Sequence, residues 1–200
     1  VQQAVAGFES IDVASADVGL LMSDATISNA RNATIKLTGT LAANRTVTIP
    51  DSIEKVYNVI DGTNHDGNTL TFKTSSGTGI LLCEGNCYTL YSDGTNVEKA
   101  SEYKKWRVVS GNETVQAGAQ LFVDTNGGAV TVTLPASPST GDEVTFNDQR
   151  LTFDSNNLTV GRNGSNILGA AGDLVVATEG AAFTLVFSGN ATTGWTYKDK

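Results

Sequence analysis

The feature that most constrains this chain is a period-two alternation of apolar and polar residues in short runs. Thr34-Ile35-Lys36-Leu37-Thr38, Thr46-Val47-Thr48-Ile49, Thr69-Leu70-Thr71-Phe72, Val130-Thr131-Val132-Thr133-Leu134 and Val144-Thr145-Phe146 all carry it. Successive side chains on a strand point to opposite faces, so each run predicts a strand with one buried and one wet face. The runs are separated by turn formers: Asp61-Gly62, Asp66-Gly67, Asp93-Gly94, Asn126-Gly127-Gly128, Asn163-Gly164 and Ser188-Gly189-Asn190. No long segment has a helical period. Short helical turns are expected only over 28–32 and 17–22. The expected fold is all-β, built as two tandem small antiparallel β-sandwich or barrel-like modules.

Composition agrees with many strands and many turns. Charged residues make up 17% of the chain, below the usual share, while Gly alone contributes 21 residues. Thr suits a pleated surface, and Gly and Asn tolerate the positive φ of tight turns. The formal charge of -8 argues against nucleic acid and against an anionic membrane surface, both of which are gripped by Lys and Arg. No run reaches the ~20 apolar residues of a membrane-spanning helix. Residues 1–10 have neither a basic stretch nor an apolar core, so no signal peptide is expected.

The alternating runs recur in order. Thr46-Val47-Thr48-Ile49-Pro50 is answered by Thr131-Val132-Thr133-Leu134-Pro135, and Glu54-Lys55-Val56-Tyr57-Asn58 by Glu143-Val144-Thr145-Phe146-Asn147. Asn68-Thr69-Leu70-Thr71-Phe72 matches Asn156-Asn157-Leu158-Thr159-Val160, and Gly77-Thr78-Gly79-Ile80 matches Gly164-Ser165-Asn166-Ile167. Glu84-Gly85-Asn86-Cys87-Tyr88-Thr89-Leu90 matches Glu179-Gly180-Ala181-Ala182-Phe183-Thr184-Leu185. An internal duplication is therefore expected, with modules over 1–102 and 103–200 and an extended or linker segment at 1–30. The seam falls in the charged stretch that ends at Trp106.

Few residues suggest chemistry. His65 is the only histidine. It sits in Asp61-Gly62-Thr63-Asn64-His65-Asp66-Gly67, which reads as an exposed turn rather than as part of a nucleophile–base pair. The acidic residues of that loop fall out of step with a calcium loop, and one His with two Cys makes no zinc set. Cys83 and Cys87 flank three residues and form a candidate disulfide across a hairpin. Neither a catalytic group, a metal site nor a cofactor is expected. The candidate interface or receptor residues are aromatic: Tyr88, Tyr91, Trp106, Trp195 and Tyr197. On one strand Tyr88 and Leu90 share a face and Cys87, Thr89 and Tyr91 share the other, so one tyrosine points away from its core.

Three segments of the first half carry a family resemblance: Thr46 to Pro50, Thr71-Phe72-Lys73-Thr74-Ser75-Ser76-Gly77-Thr78-Gly79, and Leu90-Tyr91-Ser92-Asp93-Gly94-Thr95-Asn96-Val97. They resemble a module repeated in tail fibres and other virion structural proteins of bacteriophages, notably marine ones. In the second half, Thr133-Leu134-Pro135-Ala136-Ser137-Pro138-Ser139-Thr140-Gly141-Asp142, Asn157 to Ile167 and Gly194-Trp195 are similar to another such module. The family pattern differs at Cys83 to Cys87, where Pro-Gln-Gly and a basic residue are more usual. The resemblance implies a non-enzymatic virion component on the tail or capsid exterior. It further implies a homotrimer that contacts other virion proteins and a host surface glycan or protein. Tail fibre or spike is the leading expectation, a capsid decoration or head-fibre protein the first alternative, and a polysaccharide depolymerase the alternative of another class.

Overall fold

The alternating runs become strands because their apolar halves can be removed from water together, each buried Leu, Ile or Phe contributing about 1.5–3 kcal/mol. The computed structural model describes residues 6–23 and 28–199, and the chain divides into units Val1–Lys104 and Lys105–Lys200. Unit 1 holds β1 (Phe8–Asp12), β2 (Val18–Gly19), β3 (Thr34–Thr40), β4 (Arg45–Ile49), β5 (Glu54–Asn64), β6 (Leu70–Thr74), β7 (Gly79–Leu82), β8 (Cys87–Asp93) and β9 (Val97–Tyr103). A 3-10 turn spans Asn29–Arg31, inside the helical turn expected at 28–32. Unit 2 holds β10 (Trp106–Val109), β11 (Glu113–Thr114), β12 (Gln120–Val123), β13 (Val130–Thr133), β14 (Glu143–Asp148), β15 (Leu158–Gly161), β16 (Leu174–Val176), β17 (Ala182–Phe187) and β18 (Trp195–Asp199).

The two units have the same strand order. In unit 1 a five-stranded sheet runs β1-β3-β5-β8-β9 and a four-stranded sheet β2-β4-β6-β7. In unit 2 the corresponding sheets run β10-β12-β14-β17-β18 and β11-β13-β15-β16. Through β6 and β15 the chain alternates between its two sheets, so each strand returns parallel to the one before it in the same sheet. One coil carries Phe8 to its neighbour Thr34, and the next carries Thr34 to Asn58. The last strands then reverse: β7, β8 and β9, like β16, β17 and β18, pair antiparallel. Both reversals contain a register shift at the same kind of step, Thr89/Leu90 and Thr184/Leu185.

This all-β architecture differs from the antiparallel sandwiches or barrels expected from the sequence. Each unit is a short, solenoid-like stack of coils closed by antiparallel strands. The difference has a simple cause. Parallel neighbours need a crossover between them, and here a strand of the opposite sheet supplies it. Period-two alternation looks the same in either case. Residues 17–22 do not make a helical turn, since Val18–Gly19 pairs with Val47 and Thr48. Of the extended or linker segment expected at 1–30, Phe8–Asp12 is an extended edge strand beside β3.

Inner faces of the two sheets meet in each unit. In unit 1 Ile35, Leu37, Val47, Ile49, Val59, Leu70 and Phe72 are fully buried, and Tyr57 of β5 meets Phe72 of β6 edge to face with centroids 5.8 Å apart. In unit 2 Leu121, Val132, Val144, Phe146, Leu158, Val160 and Trp195 take the same role, with Phe146 stacked on Phe183 at 5.0 Å. Trp195 can enter because Gly194 precedes it. Gly194 has φ +69°, and a Cβ there would lie 1.9 Å from the Asn166 carbonyl oxygen.

Gly194→Ala is therefore expected to cost at least about 2 kcal/mol, through both the strained φ and the backbone clash. Gly127→Ala, where nothing lies within 4 Å of the added carbon, serves as the near-neutral control. Urea unfolding followed by circular dichroism measures both.

Candidate functional site

Each unit buries one aspartate at the same place. The inner rows of the five-stranded sheets read Ile11–Leu37–Asp61 in unit 1 and Val109–Val123–Asp148 in unit 2. Asp148 is held by backbone: the N–H of Thr152 donates to Oδ1, and those of Phe153 and Gly180 donate to Oδ2, each at 3.1 Å. Burial alone would raise its pKa. The amides of Phe153, Thr152, Gly180 and Arg150 outweigh that and hold the carboxyl below its usual range.

Asp61 is satisfied differently. Thr63 donates its Oγ1 at 2.6 Å and its N–H at 3.1 Å to Oδ1, while the Nε2 of His65 lies 2.8 Å from Oδ2. His65 is buried, and its N–H donates to Glu84 Oε2 at 2.9 Å. The sequence reading of His65 as an exposed turn residue is thus corrected. Asp61-Gly62 is likewise no turn but lies within β5, because the carboxylate turns inward and the strand continues to Asn64. Behind both aspartates a glycine turn closes the unit, with Asp61 N–H donating to Asn86 O at 2.9 Å and Asp148 N–H to Ala181 O at 3.0 Å. Among the described residues no group of three or more His, Cys, Asp or Glu is arranged to hold a metal ion. The Asp61–Thr63–His65 cluster is committed inward, to its own chain.

The candidate residues do not gather at one place. Tyr88 lies in the core of unit 1, where its hydroxyl oxygen accepts the Cys83 N–H at 2.6 Å. Trp195 is fully buried in unit 2, and Tyr197 packs edge to face on Phe183 with centroids 5.7 Å apart. Tyr88 and Trp195 therefore offer no surface to a partner, because the inward half of the alternation falls on them. Tyr91 and Trp106 are exposed, and Trp106 lies against Phe122 with centroids 4.6 Å apart. Cys83 and Cys87 form no disulfide with each other. The hairpin expected there is not one: β7 pairs with β6, β8 with β5, and residues 83–87 carry the chain from one sheet to the other.

A shallow groove of about 370 Å³ opens on the outer side of the unit 1 five-stranded sheet. It is lined by Thr34, Asn58, Ile60, Cys87, Thr89, Ser101 and Tyr103, with Val59 and Tyr88 beneath. Apart from Cys87 the surface part of this set went unnoticed in the sequence, since Asn58, Ser101 and Tyr103 meet only through strand register.

No protein-family model matches the chain, and no curated protein does. Among solved structures, one described as the structure of a chaperone-substrate complex aligns with a TM-score of 0.39 and 11% identity. The alignment covers 96% of this chain and 32% of that one, so the chain spans about a third of its length.

Two buried groups of unit 1 set its behaviour in alkali. Burial pushes Tyr57 up to about 12, and its hydroxyl has no hydrogen-bond partner among the described residues. Burial, reinforced by Cys83 and Glu102, also pushes Tyr88 up. A folded-state pKa above the unfolded value means stability that is complete below pH 10 and lost as pH rises toward 12. Unit 1 is expected to unfold in that window, with the 295 nm phenolate absorbance rising together with loss of circular dichroism. Tyr57→Phe removes an unpartnered group and should leave stability unchanged or higher, while Tyr88→Phe orphans the Cys83 N–H and should cost about 1–3 kcal/mol. At acid pH the sign reverses for Asp148. Its depressed pKa makes its contribution full above 3.8 and lost as pH falls below that. Asp148→Asn should cost about 1–3 kcal/mol at pH 7 and flatten the acid limb of a stability–pH profile measured by urea titration.

Proposed function

We propose that this chain is a structural component of a bacteriophage virion, of the tail fibre or spike type, that mediates attachment to the host and catalyses no reaction. The observation that carries the reading is the repeated unit. Nine strands in one order occur twice, and the matched runs at β4 and β13, β5 and β14, β6 and β15, and β8 and β17 occupy equal ranks. We read the units as tandem modules descended from one duplicated ancestor. The match of Gly77–Ile80 to Gly164–Ile167 is the exception, since β16 begins only at Leu174. The segments Thr71 to Gly79 and Asn157 to Ile167, on which the resemblance to phage virion modules rests, lie at the β6 and β15 coils and the turns that leave them.

Sheet edges support self-association. β9 and β18 carry Glu98, Lys99, Glu102, Lys198 and Asp199, charges of the kind that blunt an edge against stray pairing. β7 and β16, edges of the four-stranded sheets, carry none and expose Leu81 and Val175. These are the edges at which copies of the chain would meet, in a homotrimer with closed symmetry. Native mass spectrometry is expected to give three times the chain mass, and Val175→Lys to shift it toward monomer. A wild-type monomer at high concentration counts against the fibre or spike reading. Immunogold labelling of phage particles should place the chain on the tail, whereas gold over the capsid favours the decoration alternative. Release of reducing ends from host polysaccharide would overturn the non-enzymatic part.

A further inference from the structure

Strand register places one row free of cations across the outer face of each five-stranded sheet. In unit 1 Phe8, Thr34, Asn58, Thr89 and Ser101 are successive partners from β1 to β9. In unit 2 the row at the same rank is Trp106, Gln120, Thr145, Thr184 and Asp199. Both rows start on an exposed aromatic, Phe8 at 57% and Trp106 at 39%. Both continue through amides and hydroxyls, and the unit 2 row ends on the carboxylate of Asp199.

These groups make few bonds of their own. Thr89 Oγ1 donates to Asn58 Oδ1 at 3.3 Å, and the Oγ1 atoms of Thr145 and Thr184 lie 3.1 Å apart. Each amide and hydroxyl therefore keeps donor or acceptor capacity facing solvent. In unit 1 the row runs along the groove of about 370 Å³, with Tyr103, 71% exposed, beside it. That volume falls in the range of small-ligand clefts.

We propose that these rows are saccharide-binding tracks for an uncharged glycan. Adjacent strands are about 4.8 Å apart. A row of single amides and hydroxyls at that spacing, ending on an aromatic ring, suits an extended chain of sugar rings, whose hydroxyl edges hydrogen-bond and whose C–H faces pack on aromatics. Charge selects the class. The rows hold no cation, and a chain of net charge -8 repels acidic polysaccharide. The proposal rests on the attachment reading for its biological sense and names the class of receptor.

Trp106 supplies a direct signal, because Trp195 is fully buried and the chain has only these two tryptophans. The 200-residue chain is mixed with cello-, malto-, manno- and N-acetylglucosamine hexaoses and observed by saturation-transfer NMR and tryptophan emission. At least one hexaose is expected to receive saturation and to change the Trp106 emission. Asn58→Ala and Trp106→Ala should each weaken that binding by about tenfold at their own row, the loss of one good contact. The double variant, checked for folding by circular dichroism, should lose it. Absence of transfer to all four sugars, binding of acidic polysaccharide alone, or unchanged affinity in the folded double variant overturns the proposal. Immunogold labelling separates the two readings: labelled particles without sugar binding leave the virion reading standing, and sugar binding without labelled particles leaves the tracks standing.

Discussion

The strand on which each unit depends is the central one of the five-stranded sheet, β5 in one and β14 in the other. It pairs parallel with one neighbour and antiparallel with the next, so the coil ends there and the closing strands begin. Near the end of that strand an inward position holds a carboxylate rather than an apolar side chain. A buried, uncompensated carboxylate is too costly to keep, so Asp61 and Asp148 draw donors from the chain that follows them. Those donors come from Thr63 within β5, from the loop after each strand and, in unit 2, also from Gly180 in the turn before β17. The carboxylate thereby fixes where the coil stops.

Much of the fold was legible in the alternation, and the reason is local. Ile35 and Leu37 face inward and Thr34 and Lys36 outward whatever the strand pairs with. The turns at Asp66-Gly67 and Asn163-Gly164 were legible for a similar reason: all four residues adopt positive φ, which these types tolerate. Pairing direction was not legible. It is decided by which partners lie beside a strand, and Thr34 has neighbours in Phe8 and Asn58 that no local pattern links. His65 misled because Asn, Asp and Gly around it signal a turn, while its burial depends on Asp61 and on Glu84 from beyond the next two strands. Among the aromatics, alternation separated Tyr88 from Tyr91, but it could not say that Trp195 would be the inward member of its strand.

The outer rows follow from the same geometry that forms the core. Once inward positions are spent on packing, register aligns whatever the outward positions hold, and neutral amides and hydroxyls lie side by side without any sequence motif. Parallel coils keep such a row straight across β1, β3 and β5, because successive strands repeat the same register. Both antiparallel closures carry a shift at the Thr–Leu step, and the row reaches β8 and β17 just before it.

The two units solve the buried-carboxylate problem with different materials. In unit 2 the donors to Asp148 are main-chain N–H groups, which no side-chain substitution short of proline removes. In unit 1 two of the three contacts to Asp61 come from the side chains of Thr63 and His65. Unit 1 therefore depends on the identity of its loop residues, whereas unit 2 depends only on the path of its loop. That path is set by positive φ at Leu151 and Gly180. A side-chain solution is open to change one residue at a time, and a backbone solution changes only with the loop as a whole. It follows that the His65 loop and the Gly180 turn are under different constraints, although both serve the same carboxylate position.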